Sequence, residues 1–390
     1  MKANKVFSNP IFVAGILTII VLIVSLQSYL FEPKTFEPGG IAYTRYNNFV
    51  IFKQSYFHLI ENKDLYQLFP EDHWDLYKYS PAFALLMFPF AKMPDAAGLF
   101  FWNLLNVLIL FWALWRLPGA TPKTRLWMLG LVLVELITSI QNSQSNGLVA
   151  GLLIFAFVFL EEKKTALAAL FIVLTVFIKL FGLVALLLFL LYPEKIKALL
   201  YAIGWILLFT LLPLLVVSTS QLALLYQSWL TLLQNDHSAS IGLSVGGWLY
   251  SWFSIPYSNV IVAVGGILLC IPLLKYKYFK ELTFRLFFLA SILIWVVIFN
   301  HKAESPTFVI AVSGIAIWFF SQPVKPINVV LLVSMVIFTI LSPTDMFPRS
   351  IQRDFVAPYV LKAVPCILIW LKIMFDLIFY KPENLNREAE

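Results

Sequence analysis

At 390 residues the chain is long enough for two or three soluble domains, but 61% hydrophobic and 13% charged residues lie far from the roughly half apolar, quarter charged usage of water-soluble folds. That excess excludes a soluble protein and requires a lipid solvent. The net charge of +7 does not indicate nucleic acid, because the basic residues stand between apolar runs and form no stripe able to follow a phosphate backbone.

The first apolar run, Pro10 to Leu30, follows Lys2 and Lys5. It is too long for a signal-peptide core and no small-x-small cleavage site follows, so it reads as an uncleaved signal anchor with its N-terminus in the cytoplasm. Further runs span about Gly98 to Trp115, Leu126 to Ile140, Gly147 to Leu160, Thr165 to Ile178, Phe181 to Tyr192 and Ala198 to Val217. Others cover Val260 to Leu274, Leu286 to Phe299, Pro306 to Phe320, Asn328 to Leu341 and Pro358 to Tyr380. In a bilayer each backbone polar group needs an internal partner, so these runs are helices. The expectation is an all-α polytopic membrane protein with about 11–13 transmembrane helices. It forms one transmembrane domain over 1–380, with long outer loops at 31–79 and 218–259, and a cytoplasmic tail at 381–390.

Alternate crossings gather basic residues on one side: Arg116, Lys123 and Arg125, then Lys163 and Lys164, Lys195 and Lys197, and Lys275 to Arg285. Short basic loops mark the cytoplasmic face of an inner membrane, with both termini inside. The opposite face receives both long loops and all four histidines, His58, His73, His237 and His301. Cys270 and Cys366 fall inside apolar runs, where cysteine acts as a small buried hydrophobe. Neither a disulfide framework nor a zinc site is expected.

Three segments break the regular pattern. Thr165 to Ile178 and Phe181 to Tyr192 would each span only about 20 Å of a roughly 30 Å hydrocarbon core. Helices that stop at membrane depth need protein or a cavity around them, and the junction of these two carries Lys179. Pro81 to Ala91, ended by Pro94, is also too short to span and reads as re-entrant. In the outer loops, Asn48 is placed to cap an amphipathic helix through Phe49, Phe52, Tyr56, Leu59 and Ile60. Leu222, Leu225, Tyr226, Trp229, Leu232 and Leu233 outline a second. Both either line a lipid-substrate groove or shield the outer surface.

Around Asn62 the chain reads Lys63-Asp64-Leu65-Tyr66, then Tyr77-Lys78-Tyr79-Ser80-Pro81 before an apolar stretch and Pro89. Gln144-Ser145-Asn146-Gly147 opens a helix, Ile178-Lys179 precedes Phe181, and Tyr192-Pro193-Glu194-Lys195 forms a basic turn. In that order these elements resemble the "G-x-D-x-Y", "Y-x-Y-P-P", "Q-x-N" and "K-P" motifs of glycosyltransferase family 87, also known as domain of unknown function 2029. The resemblance covers about Tyr43 to Leu200. It implies a C-type glycosyltransferase fold that moves a hexose or pentose from a polyprenyl-phosphate carrier to a lipid-linked or envelope glycan acceptor at the periplasmic face. Membrane lipids, the polyprenyl-phosphate donor and the acceptor would be its partners. Such a reaction needs one carboxylate as base and cations at the phosphate, but no strong acid for the leaving group.

Where that family has an aspartate followed by an aromatic residue, taken as its base, this chain has Asn47-Asn48-Phe49. Glu61, Asp64, Glu71, Asp72 and Asp75 are the acids left in the loop, with Asp64 and Asp75 preferred because the tyrosine motifs hold them near the membrane surface. Tyr77, Tyr79 and Pro81 shape the loop. Lys179 either contacts the lipid phosphate or snorkels. Gln144 and Asn146 either meet sugar hydroxyls or, for Asn146, cap the helix. His301 and Lys302, with Glu304, either take the phosphate and order the sugar or form an interfacial polar cluster. Glu135 shares a helix face with Ser139 and Asn142, and is either functional or protonated and bonded to a neighbouring helix. Asp376 receives no role. No cofactor is expected, and Glu71-Asp72 is the one acidic pair that leaves a metal open. A lipid-linked saccharide or small-solute transporter is the alternative, although paired charges at mid-bilayer are lacking. A catalytically lapsed family member that only binds is a third reading.

Overall fold

A computed structural model of the chain describes residues 8–37, 39–235 and 242–381. Lys2, Lys5, His237 and most of the expected tail lie outside them. The chain divides into two compact units, Met1–Leu186 with Glu194–Ala239, and Leu187–Pro193 with Ser240–Glu390.

In the first unit α1 is Pro10–Leu30, begun by Asn9, whose side chain accepts from the Ile11 amide, and by Pro10 at the first helical position. A two-stranded antiparallel hairpin follows, pairing Lys34 with Tyr43 and Thr35 with Ala42. Next come α2 (Asn47–Ile60), α3 (Pro81–Leu86), α4 (Phe88–Ala91), α5 (Asp95–Trp115), α6 (Pro122–Gln141), α7 (Asn146–Glu161) and α8 (Thr165–Ile178). The four-residue α9 (Gly182–Ala185) runs into a 3-10 segment, Leu186–Leu191, which from Leu187 on belongs to the second unit, and the first unit is completed by α10 (Lys195–Leu211) and α11 (Thr219–Asn235). The run at 181–192 is therefore one helical turn plus a tighter segment.

α7 is the core of this unit. Every residue from Asn146 to Leu160 is buried, and α5 and α8 both pack against it. A Cβ on Gly151 would stand 2.7 Å from the Ile109 backbone, so glycine is what lets α5 and α7 approach. Sixteen residues make a helix of about 24 Å, short of a roughly 30 Å bilayer core. Protein on all sides removes the need to match the lipid. α1 and α10 instead keep exposed apolar faces, with Ile11, Leu30 and Leu200 on the surface. Surface of that kind is stable only against hydrocarbon.

The second unit contains α12 (Val245–Phe253), α13 (Asn259–Cys270), α14 (Leu282–Ile298), α15 (Phe308–Phe320), α16 (Pro326–Met335) and α17 (Val364–Ile378). α14 and α15 form its core, and a Cβ on Gly314 would stand 2.8 Å from the Ala290 carbonyl oxygen, so glycine lets the two helices approach. The apolar run at 358–380 is helical only from Val364, because turns and a π-helical stretch occupy 352–363. α12 is an element hydropathy did not reveal inside the second long loop. Cys366 is buried as expected, whereas Cys270 is exposed on α13.

Four helical segments among the described residues are long and apolar enough to cross a membrane: Pro10–Leu30, Asp95–Trp115, Pro122–Gln141 and Lys195–Leu215. Shorter apolar helices make up most of the remainder. The all-α polytopic architecture expected from the sequence is the one observed.

Candidate functional site

The tyrosine motif is tied down through its own backbone. The buried Tyr77 hydroxyl donates to the Ser80 carbonyl at 2.7 Å, and the Tyr66 hydroxyl donates to the Tyr79 carbonyl at 2.9 Å. Trp229 of α11 donates its indole N–H to the Lys78 carbonyl at 3.2 Å. Burial pushes the phenols of Tyr66 and Tyr77 well above their ordinary pKa, so they work as neutral hydrogen-bond donors. Tyr79 packs edge-on against Phe52 of α2, with ring centroids 4.9 Å apart. Ser80 then starts α3: its Oγ accepts from the Phe83 amide at 3.1 Å, and Pro81 takes the first helical position.

The same Ser80 hydroxyl donates to the carbonyl of Phe177 at 2.6 Å. That carbonyl belongs to the last turn of α8, two residues before Lys179. At Lys179 the backbone leaves the helix for an extended conformation, φ −143° and ψ 135°. The chain then turns sharply into α9, because Gly182 sits against α8. A Cβ there would lie 2.7 Å from the Val176 nitrogen. The half-buried Lys179 ammonium donates to Asn146 Oδ1 at 2.6 Å and lies 5.7 Å from the Phe181 ring.

Asn146 is the first residue of α7 and does not cap it. Ser145 holds the cap position without a side-chain cap bond. The preceding turn has Ser143 at φ 52° and is gripped from two sides. Trp102 donates its indole N–H to the Ser143 carbonyl at 2.9 Å, and Asn48 donates its amide to the Asn142 carbonyl at 2.9 Å. Asn48 is thus no helix cap either: α2 begins one residue earlier, and a long-range carbonyl has captured the side chain. Glu135 and Ser139 on α6 are fully buried. Asn142, expected on their face, is instead exposed as the C-terminal cap of α6, because the helix ends at Gln141.

The tyrosine motif, the Lys179 break and the Gln144–Gly147 turn therefore meet through hydrogen bonds, and Asn48 joins them at the turn. The loop acids have defined partners. Asp64 Oδ1 accepts from the Tyr66 amide at 3.2 Å and Oδ2 from the Ser228 hydroxyl of α11 at 2.9 Å. Asp75, at φ 73°, accepts from the Leu76 amide at 2.7 Å and pairs with Lys78 at 2.9 Å near the surface. Asp72 faces the buried His58 Nε2 at 2.9 Å.

Sequence reasoning missed Asp95. It begins α5, pairs with Lys53 of α2 and hydrogen-bonds Tyr46. Burial first, and Asp95 second, push the Tyr46 phenol up to about 12. Asp95 and Asp72 border a cavity of about 370 Å³ together with Thr44, Asn47 and Gln54. Pro94-Asp95 at the head of an apolar run is a helix-start signal that marked this acid. Nothing in the sequence marked Lys53 as its partner. Among the described residues no group of three or more His, Cys, Asp or Glu side chains is placed to hold a metal ion.

In the second unit His301 packs on Tyr257, with ring centroids 5.4 Å apart. The backbone at Leu243 donates to the Ala303 carbonyl at 2.9 Å, and the Lys302 amide donates to Asn300 Oδ1 at 3.0 Å. Lys362 was not foreseen. It is almost fully buried, and its ammonium donates to the Ser305 hydroxyl at 2.8 Å, one residue beyond Glu304. Asp376 pairs with Lys372 one turn earlier.

The family model for glycosyltransferase family 87 matches residues 77–343. The chain belongs to glycosyltransferase family 87. The match starts at Tyr77, so it takes in the tyrosine motif, the turn, Lys179, His301 and Lys302, and leaves out Asn48 and every acid of the first loop. Membership makes the protein a membrane glycosyltransferase. No curated protein sequence matches the chain. A solved structure, ArnT from Cupriavidus metallidurans bound to undecaprenyl phosphate, is similar at 11% identity over 94% of this chain and 76% of that one. Its TM-score is 0.40, too loose a likeness to bear on the site.

Proposed function

We propose that this family 87 glycosyltransferase has the C-type fold and moves a hexose or pentose from a polyprenyl-phosphate carrier to a lipid-linked or envelope glycan on the periplasmic side of the inner membrane. The observation that carries the reading is the 2.6 Å contact between Lys179 and Asn146. It brings a cation at a helix break within hydrogen-bonding reach of a motif turn, where an isoprenoid phosphate is the natural anion. Tyr77, Tyr79 and Pro81 hold the neighbouring wall. Asp64 is the preferred base over Asp75, since its carboxylate is part-buried on that wall. It takes the acceptor hydroxyl proton as the new glycosidic bond forms at the anomeric carbon, and the carrier phosphate departs with the bonding pair. The phosphate is already a good leaving group, so no acid is needed.

The test uses full-length protein in nanodiscs, radiolabelled polyprenyl-phosphate mannose, glucose, galactose and arabinose, and envelope lipid extract as acceptor. Transfer lost in Lys179→Ala and Asp64→Asn supports the reading. Neither transfer nor donor binding with any of the four sugars would overturn it. The amide at Asn48 favours a second reading, a family member that binds the donor without transferring it. Donor binding without turnover across the panel selects that one. His301, Lys302 and Glu135 are assessed by alanine replacement in the same assay.

A further inference from the structure

The turn before α7 has features that a helix cap does not explain. α7 is sixteen residues long, and its N-terminus is buried. The first amides of a helix have no partner within it and carry the positive end of the helix dipole. The Leu148 amide is used by Asn106 Oδ1 at 2.9 Å, and the Ser145 side chain makes no cap bond.

Around that end stand hydrogen-bond donors without partners. Ser145 Oγ and Asn146 Nδ2 are buried and unbonded. Gln144 is only 9% exposed, and its side chain has no hydrogen-bond partner among the described residues. Buried donors of this kind cost about 1–3 kcal/mol each when left unmade, so a set of them at one place implies an acceptor that completes it. The Lys179 ammonium lies next to them on Asn146. A helix N-terminus, two amide groups, a hydroxyl and an ammonium all donate, which is the chemistry of an oxyanion with several acceptor oxygens.

We propose that the N-terminus of α7, with Gln144, Ser145, Asn146 and Lys179, is a cradle for a phosphate group. In this assignment Gln144-Ser145-Asn146-Gly147 recognises phosphate, and the sugar hydroxyls are met elsewhere. Asn146 has a second task as a positioning residue, since its Oδ1 holds the ammonium toward the helix end. The inference rests on the reading of Lys179 given above and adds the partners that surround it. The phosphate is either borne by a lipid or free in solution.

Binding of undecaprenyl phosphate, undecaprenol and inorganic phosphate to the full-length protein in nanodiscs would be measured by native mass spectrometry and ³¹P NMR. Gln144→Glu is the discriminating variant. A carboxylate is favourable beside a helix N-terminus, so a purely structural role predicts an intact or more stable fold, while a phosphate cradle predicts repulsion of the ligand. The expected result is undecaprenyl phosphate binding at least tenfold weaker in Gln144→Glu, with undecaprenol at least tenfold weaker than undecaprenyl phosphate in the wild type. Should Gln144→Glu fail to fold, Gln144→Met decides, with at least threefold weaker binding expected. Binding unchanged in the deciding variant, or wild-type protein that takes up neither phosphate probe, overturns the cradle. Lys179→Ala that loses binding while Gln144→Glu keeps it removes the cradle and leaves the proposed function intact. Inorganic phosphate bound in a Gln144-dependent way without the lipid keeps the cradle and removes the polyprenyl donor.

Discussion

The Ser80 hydroxyl and the Phe177 carbonyl, 97 residues apart, share a 2.6 Å hydrogen bond inside the first unit. It couples the end of the tyrosine motif to the turn that presents Lys179. Ser80→Ala removes this bond and the cap of α3 together, for a loss of about 1–3 kcal/mol. If the coupling positions Lys179, donor turnover falls at least tenfold at temperatures where the variant remains folded. Thermal unfolding and turnover measured on one preparation separate the two effects.

Gly182 is the steric condition for the break after α8. Any side chain would press on the Ile172 carbonyl and the Val176 amide, and backbone cannot yield as a flexible side chain does. Gly182→Val pushes α9 away from α8 and displaces Lys179. The expected outcome is a destabilisation of about 1–3 kcal/mol, with protease sensitivity rising near residues 178–186. A variant with unchanged melting and unchanged donor binding would remove the break from the argument.

Asn48→Asp tests whether the missing family aspartate can be restored. The Asn48 amide now donates to the Asn142 carbonyl. A carboxylate facing that oxygen loses the bond and meets a second acceptor, at a cost of about 1–3 kcal/mol. The expected result is a less stable protein, faster hydrogen exchange at residues 142–148, and no gain in turnover. A clear rise in transfer would show that the chain lacks only its base.

His73 supplies a pH dependence. Burial is the main cause that lowers its pKa from the ordinary 6.5. The Asp75 carbonyl bonded at 3.0 Å and the nearby Asp72 and Asp75 charges oppose the shift, and His58 adds to it. A depressed folded value means that the unfolded chain binds more protons just below pH 6.5, so stability falls as pH drops through that window. Hydrogen-exchange protection across residues 61–80, corrected for the intrinsic rate at each pH, is expected to fall from pH 7 to 5.5, and His73→Gln to flatten the response. A response of equal size in His73→Gln would assign it to another group.

Most of the helices were legible because apolar periodicity and run length are local. The run at Thr165 to Ile178 matches α8 end to end, and the start of α7 lies one residue from expectation. Misreadings fell where a side chain has a distant partner. Asn48 has the form of a cap and serves the Asn142 carbonyl, and Asn146, read as either a sugar contact or a cap, opens α7 without capping it and bonds Lys179. Asp95 drew no notice because its partners, Lys53 and Tyr46, lie on another element.

Hydropathy, charge placement and the order of four short motifs determined by themselves that the chain lives in a membrane and resembles family 87. Those properties are sums over neighbouring residues, each carrying its own transfer free energy wherever it sits. Which polar groups meet was decided only in three dimensions. Ser80 with Phe177, Asn48 with Asn142 and Lys179 with Asn146 are joined by single bonds across 97, 94 and 33 residues. Such bonds leave no period in the sequence, because their geometry exists only once α2, α3, α6, α7 and α8 have packed.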